Sequence, residues 1–439
     1  MPQVYQFTTA VTGGTGSFNT GTDQAVGINP YAAVLADVDG DGDLDLLSPT
    51  FGGNTVNVLL NNGRGVFGNG STVGVGSQPR SVKAADIDGD GDLDLLTADY
   101  NANTATVRFN DGTGIFSGGS TLAIGAQPES ITAADIDGDG DLDLLAANGA
   151  SNTVSVRFNN GQGSFSGNTD VLVGSFPFNV TAADVDGDGD LDLLTANLNA
   201  TTVSVRLNNG HGAFINGPDL LMDNGPRYVV AADVNGDGML DIISANHRSA
   251  TISVRLNAGN GSFGNATSYA AGDGPSSVAA ADVDGDGDLD LVVTNFYSNN
   301  VMVFLNNAGS FTLSATIAVG ANPNGVATAD IDGDGDLDLL AANFASNTLS
   351  IRLNNGSGVA LSAQSGIGAL FCRSQSGERN RGYYRPGQRR YRGNTRCLGP
   401  SSVALHCLST RKAPTGPSAG VGKRHLFGAR RGPDQPFTD

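Results

Sequence analysis

Five aspartates fall at every second position between Asp37 and Asp45, in the stretch DVDGDGDLD. A folded chain tolerates five carboxylates within nine residues only where a cation sits among them or water solvates them. Hard oxygen donors at positions 1, 3, 5, 7 and 9 of a short loop describe a calcium site, and Gly40 and Gly42 leave the backbone free to curl around it. Position 7 is expected to coordinate through its backbone carbonyl, so its side chain is free to vary.

The same nine residues recur six more times, with first aspartates spaced by 49 residues five times and then by 48. The candidate ligands are Asp37, Asp39, Asp41, Asp43 and Asp45, then Asp86, Asp88, Asp90, Asp92 and Asp94, then Asp135, Asp137, Asp139, Asp141 and Asp143. They continue with Asp184, Asp186, Asp188, Asp190 and Asp192, and with Asp233, Asn235, Asp237, Met239 and Asp241. Asp282, Asp284, Asp286, Asp288 and Asp290 follow, and the set ends with Asp330, Asp332, Asp334, Asp336 and Asp338. In the fifth copy Asn235 keeps an oxygen at position 3, while Met239 falls where only the backbone is needed. Up to seven Ca²⁺ ions are expected. One D-x-D-G-D is weak evidence; seven in register are strong. Solvated acidic turns are the blander reading, and seven copies of one ligand geometry speak against it.

An EF-hand would need a bidentate Glu at position 12 and helical flanks. Position 12 is Ser48, Thr97, Ala146, Thr195, Ser244, Val293 or Ala341, and the flanks read as strands. The seven loops hold 33 of the 44 acidic residues, so the acidity belongs to metal sites and argues against a nucleic-acid surface. The four His are too few and too scattered for a zinc centre or a histidine-based active site.

One unit, taken from the third repeat, yields four strands. Ser130 to Ala134 is small and apolar, and the loop then turns into Leu142 to Ala147. In the third strand Val154, Val156 and Phe158 alternate with Ser155 and Arg157 at period 2. Asn160-Gly161 signals a hairpin, and Ser164 to Val173 follows. Connections this short imply an antiparallel meander, and four strands in about 45–50 residues match a β-propeller blade. The expected fold is all-β, a seven-bladed propeller of four-stranded antiparallel blades, each with a calcium loop between strands one and two. After the seventh loop no fourth strand follows Gly358, whereas Gly16-Ser17-Phe18 to Val26-Gly27 matches one. That N-terminal strand, residues 16–27, is expected to close the last blade of a propeller domain spanning 1–358.

Residues 1–358 carry 41 acids and 10 Lys/Arg, whereas 359–439 carry 3 acids and 14 Lys/Arg together with Cys372, Cys397 and Cys407. The tail is expected to be basic and disordered. A frameshift accounts for it best: CGN arginine codons read one base later become GNN codons, which encode the repeat's own Asp, Gly, Ala and Val. No stretch approaches the ~20 apolar residues of a membrane span. The opening MPQVYQFTTAVTGG lacks a signal peptide's basic and apolar regions. Millimolar calcium occurs outside cells, so an extracellular or cell-surface location is expected, with a leader lost from this chain or another export route.

DVDGDGDLDLL between a small-residue strand and a VSVRLNNGxGxF hairpin resembles the FG-GAP (VCBS-type) repeats, over about residues 16–358. The resemblance implies the seven-bladed propeller of integrin α chains and of many secreted bacterial proteins. It also implies calcium at positions 1, 3, 5, 7 and 9, and seven filled motifs look more like the bacterial relatives. The family includes adhesins, lectins and non-catalytic domains of larger enzymes, so fold does not fix function.

The turns after strands two and four vary between units and share one face. Tyr31, Arg80, Glu129, Phe178, Arg227, Ser276 and Asn324 follow the recurring proline. The turn after strand two carries Phe51, Tyr100, Gly149, Leu198, His247, Phe296 with Tyr297, and Phe344. Exposed aromatics and arginine gathered on one face are expected to bind a protein or carbohydrate ligand, although packing between blades would also account for the rings. Integrin-like propellers use this same face, opposite their calcium loops. The expected protein is a non-enzymatic, monomeric adhesion module. A lectin with inter-blade pockets, or the propeller domain of a secreted hydrolase or lyase, is the alternative.

Overall fold

The computed structural model describes residues 16–354, 370–373 and 379–382. The chain divides into two units, Ala10–Ala363 and a second formed by Met1–Thr9 with Gln364–Asp439. In the second, Leu370–Arg373 pairs antiparallel with Arg379–Gly382. The rest of the basic tail lies outside the described residues. Among the described residues there is no helix, and so none long and apolar enough to cross a membrane.

The first unit is a seven-bladed β-propeller of antiparallel sheets. In the third blade strand one is Pro128–Ala134, strand two Asp143–Asn148, strand three Thr153–Asn159 and strand four Phe165–Leu172. Each strand pairs with the next. The seven first strands stand around the axis, each against its neighbours, and the first blade's meets the seventh's. In the seventh blade the outer strand comes from the other end of the chain. Thr22–Ala25 pairs with Thr348–Ile351, and Phe18 bridges to Asn354.

Strand two shows why blades stack. Its sequence, Asp-Leu-Leu-Ala-Ala-Asn in the third blade, is buried at every position. Successive side chains point to opposite faces of a sheet, so a strand apolar on both faces must be covered on both. Leu144 joins the cluster shared with the second blade, and Leu145 joins the cluster shared with the fourth. Seven such clusters fill the seven seams, including one that joins Leu340 and Ile351 to Leu46 and Phe67. Strand four is the opposite case: in the fourth blade, Leu220 alone of Phe214–Leu221 is buried, because the strand faces solvent on the rim.

Candidate metal loops and the opposite mouth of the ring

Each acidic loop connects strand one to strand two and is shaped by its own carboxylates. Asp37 Oδ1 accepts from Gly40 N at 2.8 Å, and Oδ2 accepts from Gly42 N at 3.0 Å. The same pair of bonds recurs at Asp86, Asp135, Asp184, Asp233, Asp282 and Asp330. This wrapping requires left-handed backbone at Gly40 (φ 75°) and Gly42 (φ 96°), which glycine adopts without steric cost. Asp41 Oδ1 accepts from Asp43 N at 2.9 Å, continuing the curl.

Carboxylate oxygens of Asp37, Asp39 and Asp41 lie within 4.8 Å of one another, as do those of Asp86, Asp88 and Asp90. In other blades the close set joins positions 1, 3 and 9, for example Asp135, Asp137 and Asp143. An all-oxygen anionic donor set without sulfur or imidazole suits a hard divalent cation, so these residues fit calcium. In the fifth loop the side chains are partly self-satisfied, since Asn235 Nδ2 donates to Asp237 Oδ2 at 2.9 Å.

Position 9 does more than its spacing suggests. Asp45 is fully buried; its Oδ2 accepts from Val38 N at 3.0 Å and its Oδ1 from Asn61 N at 2.8 Å. Burial is the largest influence on these carboxyls. It pushes Asp94, Asp143, Asp192 and Asp290 up to about 6 and Asp338 up to about 7, against the two backbone N–H bonds each accepts. Position 7 packs against the neighbouring hairpin. A Cβ at Gly63 would lie 2.5 Å from Asp43 Oδ2, and Met239 takes the matching place beside Gly259.

One set of functional side chains escaped the sequence reading. The asparagine ending strand three clamps two loops at once. Asn159 Nδ2 donates to Leu142 O of its own loop at 3.2 Å and to Ile87 O of the preceding blade's loop at 2.7 Å. Asn61, Asn110, Asn208, Asn257, Asn306 and Asn354 repeat the arrangement, and Asn61 reaches back to Ile331 to complete the circle. The repeated Asn before the hairpin, as in LNNGxG, is its signal in the sequence.

At the opposite mouth of the ring, the residue after the recurring proline is an extra residue in strand one. Pairing shifts register between Pro79 and Ser81, Pro128 and Ser130, Pro177 and Asn179, Pro226 and Tyr228, Pro275 and Ser277, and Pro323 and Gly325. A bulge re-aims the side chain it carries. Arg80 pairs with Glu129, and Arg227 donates to Asn324, whose Nδ2 donates to Tyr31 O at 2.8 Å. Arg227 also reaches the Tyr31 phenol, which burial raises above its usual range.

The rings gather around these cations. Arg80 lies 3.5 Å from the Tyr100 centroid and 5.5 Å from that of Phe51, and Arg227 lies 4.5 Å from that of Phe178 and 5.6 Å from that of Phe296. Phe344 meets both Tyr31 and Phe51, and His247 packs against Phe296 and Tyr297. Arg227 is buried, Tyr297 is 58% exposed, and the other rings are partly buried. Burial first, then Arg227, lowers His247 to about 4. A separate cleft of 530 Å³ opens between the sixth blade's outer strand and the closing segment, lined by Phe18, Asn19, Thr316 and Arg352 among others.

Three solved structures are similar to the chain, and the first two share its fold. BBS1N in complex with ARL6DN aligns with a TM-score of 0.56 at 10% identity, over 80% of this chain and 99% of that one. A candidate 6-phosphogluconolactonase from Bacteroides fragilis aligns with a TM-score of 0.54 at 17% identity, over 78% and 94%. An Agrocybe aegerita lectin recognising non-reducing terminal N-acetylglucosamine aligns with a TM-score of 0.48 at 21% identity, over 72% and 86%. No curated protein sequence matches the chain. The family model described as FG-GAP-like repeat matches residues 37–97, 86–146, 135–195, 184–244, 233–293 and 282–341. Together these cover well over half of the sequence, and the chain belongs to the FG-GAP-like repeat family.

Proposed function

We propose that this protein is a non-catalytic, calcium-stabilised recognition module of the cell exterior, which binds a protein or glycan at the mouth opposite its acidic loops. The carrying observation is that strand-one bulges and the turns after strand two gather two arginines and seven aromatic rings there, while the loop face stays nearly uniform. Aromatics and arginine are the side chains that dominate recognition surfaces. A binding role also suits the mouth's ionisable groups. Glu129 is held by Arg80, and His247 is neutral with Nδ1 3.2 Å from Pro275 O, so neither stands free as an acid or base.

Glycan and protein arrays run in calcium and in EDTA, beside a hydrolase and lyase screen, test this reading. Tyr100→Ser and Tyr297→Ser are expected to remove capture and leave the melting temperature within a few degrees. Turnover of a polymer by the native protein would overturn the reading. The alternative of sugar pockets between blades has one observation in its favour, the cleft beside Phe18 and Arg352. Loss of capture in Phe18→Ala with full capture in Tyr100→Ser would select it.

A further inference from the structure

At the centre of the mouth two guanidiniums stand beside a single carboxylate. Arg80 and Arg227 face one acid, Glu129, which is 2% exposed and already paired with Arg80. Arg227 is 6% exposed and hydrogen-bonds no carboxylate; its partners are an amide oxygen, a phenol and ring faces, and the Glu129 carboxylate acts on it only through the field. Among the other acids on this face, Asp99 accepts from Thr97, Thr104 and Thr106, Asp223 accepts from Thr251, and Asp273 is exposed. Arg80 Nε, Arg227 Nε and Glu129 Oε1 are buried without a hydrogen-bond partner. A buried guanidinium is expensive unless an anion and hydrogen bonds satisfy it. Its planar fork matches a carboxylate.

The surroundings narrow the ligand. Two guanidiniums beside one inward carboxylate leave one uncompensated at the centre, and a single carboxylate would compensate it. Tyr100, Phe51, Phe344 and Phe296 are partly buried around the cations, offering ring faces to a flat apolar surface such as the C–H face of a pyranose. An acidic peptide would want an open strand edge or a long groove. The first strands instead stand side by side around the axis.

We infer that the mouth recognises the carboxylate of an acidic sugar, a hexuronate at a glycan end, held by Arg80 and Arg227 and stacked on the surrounding rings. This inference rests on the proposed recognition role. Isothermal titration in calcium with glucuronate and galacturonate oligosaccharides, their neutral hexose counterparts, and N-acetylated Asp and Glu peptides tests it. Uronates are expected to bind at least ~10-fold more tightly than neutral sugars and peptides, about one charge-assisted hydrogen bond.

Arg227→Gln keeps a donor for Asn324 and removes the charge. It is expected to erase the uronate preference, and Arg227→Lys to restore part of it, with both melting like the native protein. Equal binding of uronates and neutral sugars, tighter binding of the peptides, or full uronate affinity in Arg227→Gln would overturn the inference. In each of those cases capture that is still lost in Tyr100→Ser leaves the recognition role standing. No capture of anything on the arrays removes both. Should Arg227→Gln fail to fold, the neutral-sugar comparison on native protein decides alone.

Discussion

Removing calcium from the intact chain is expected to cost most of its stability at neutral pH and little at pH 4. The magnitude follows from the buried aspartates at position 9. Their carboxyls rise from an ordinary 3.8 to about 6 in Asp94, Asp143, Asp192 and Asp290 and to about 7 in Asp338. A rise of two units is about 3 kcal/mol per ionised group, and solvent around the neighbouring loop aspartates reduces it to about 1–2 kcal/mol. Five such groups then cost about 5–10 kcal/mol, comparable with the whole stability of an ordinary domain.

The sign is fixed by folded pKa values above the unfolded ones. Below pH 4 both states are protonated and there is no penalty. Between pH 4 and 7 the unfolded chain ionises first, so the metal-free fold loses stability as pH rises, and above 7 the loss is complete. Bound calcium reverses the preference and adds about 2.7 kcal/mol per site at 100-fold over Kd. Seven ions would also bring residues 1–358 from a net charge of −31 to −17. Thermal melts from pH 4 to 8, with calcium and with EDTA, check this. Coincident curves at pH 7.5, or an EDTA midpoint that climbs with pH, would refute the reasoning.

Three further outcomes are expected. Ala250 sits at φ 55° where Asn54, Asn103, Asn152, Asn299 and Asn347 use their side chains to accept from the next blade's turn, so Ala250→Asn should raise stability by about 1–2 kcal/mol in a denaturant titration. Asn159→Ala should cost about 2–4 kcal/mol and weaken calcium binding at two loops rather than one, read as a loss of two high-affinity sites in a calcium titration. A chain ending at Gly358 should melt and bind calcium like the full one; a lower midpoint would give the basic tail a structural part.

How much of this was legible depended on the reach of each interaction. The acidic loops spell themselves out because their turn is wrapped by their own closely spaced carboxylates and glycines, so the shape of Asp37 to Asp45 is carried in nine residues. The strands were legible for a similar reason, with ends displaced by a residue or two. Ser130 to Ala134 begins at Pro128 because the bulge at Glu129 interrupts the pairing without ending it. Hidden from the sequence was whatever links separate blades. The bond from Asn61 to Ile331 O spans 270 residues, and that from Arg227 to Asn324 spans 97. The pair Arg80 and Glu129, 49 residues apart at matching repeat positions, could have been found by reading each repeat position as a ring.

The outer strand of the seventh blade sets a clock on biogenesis. Arg352 meets Thr22 across 330 residues of chain. At a synthesis rate of roughly 5–20 residues per second, the Thr22–Ala25 strand waits about 15–65 s for its partner. By the end of that interval six complete blades stand as an open arc with an apolar sheet face uncovered at each end. The strand that will seal them trails free. A second nascent chain nearby could supply the same strand first, so crowding on one message favours exchanged dimers, and dilution favours the closed monomer.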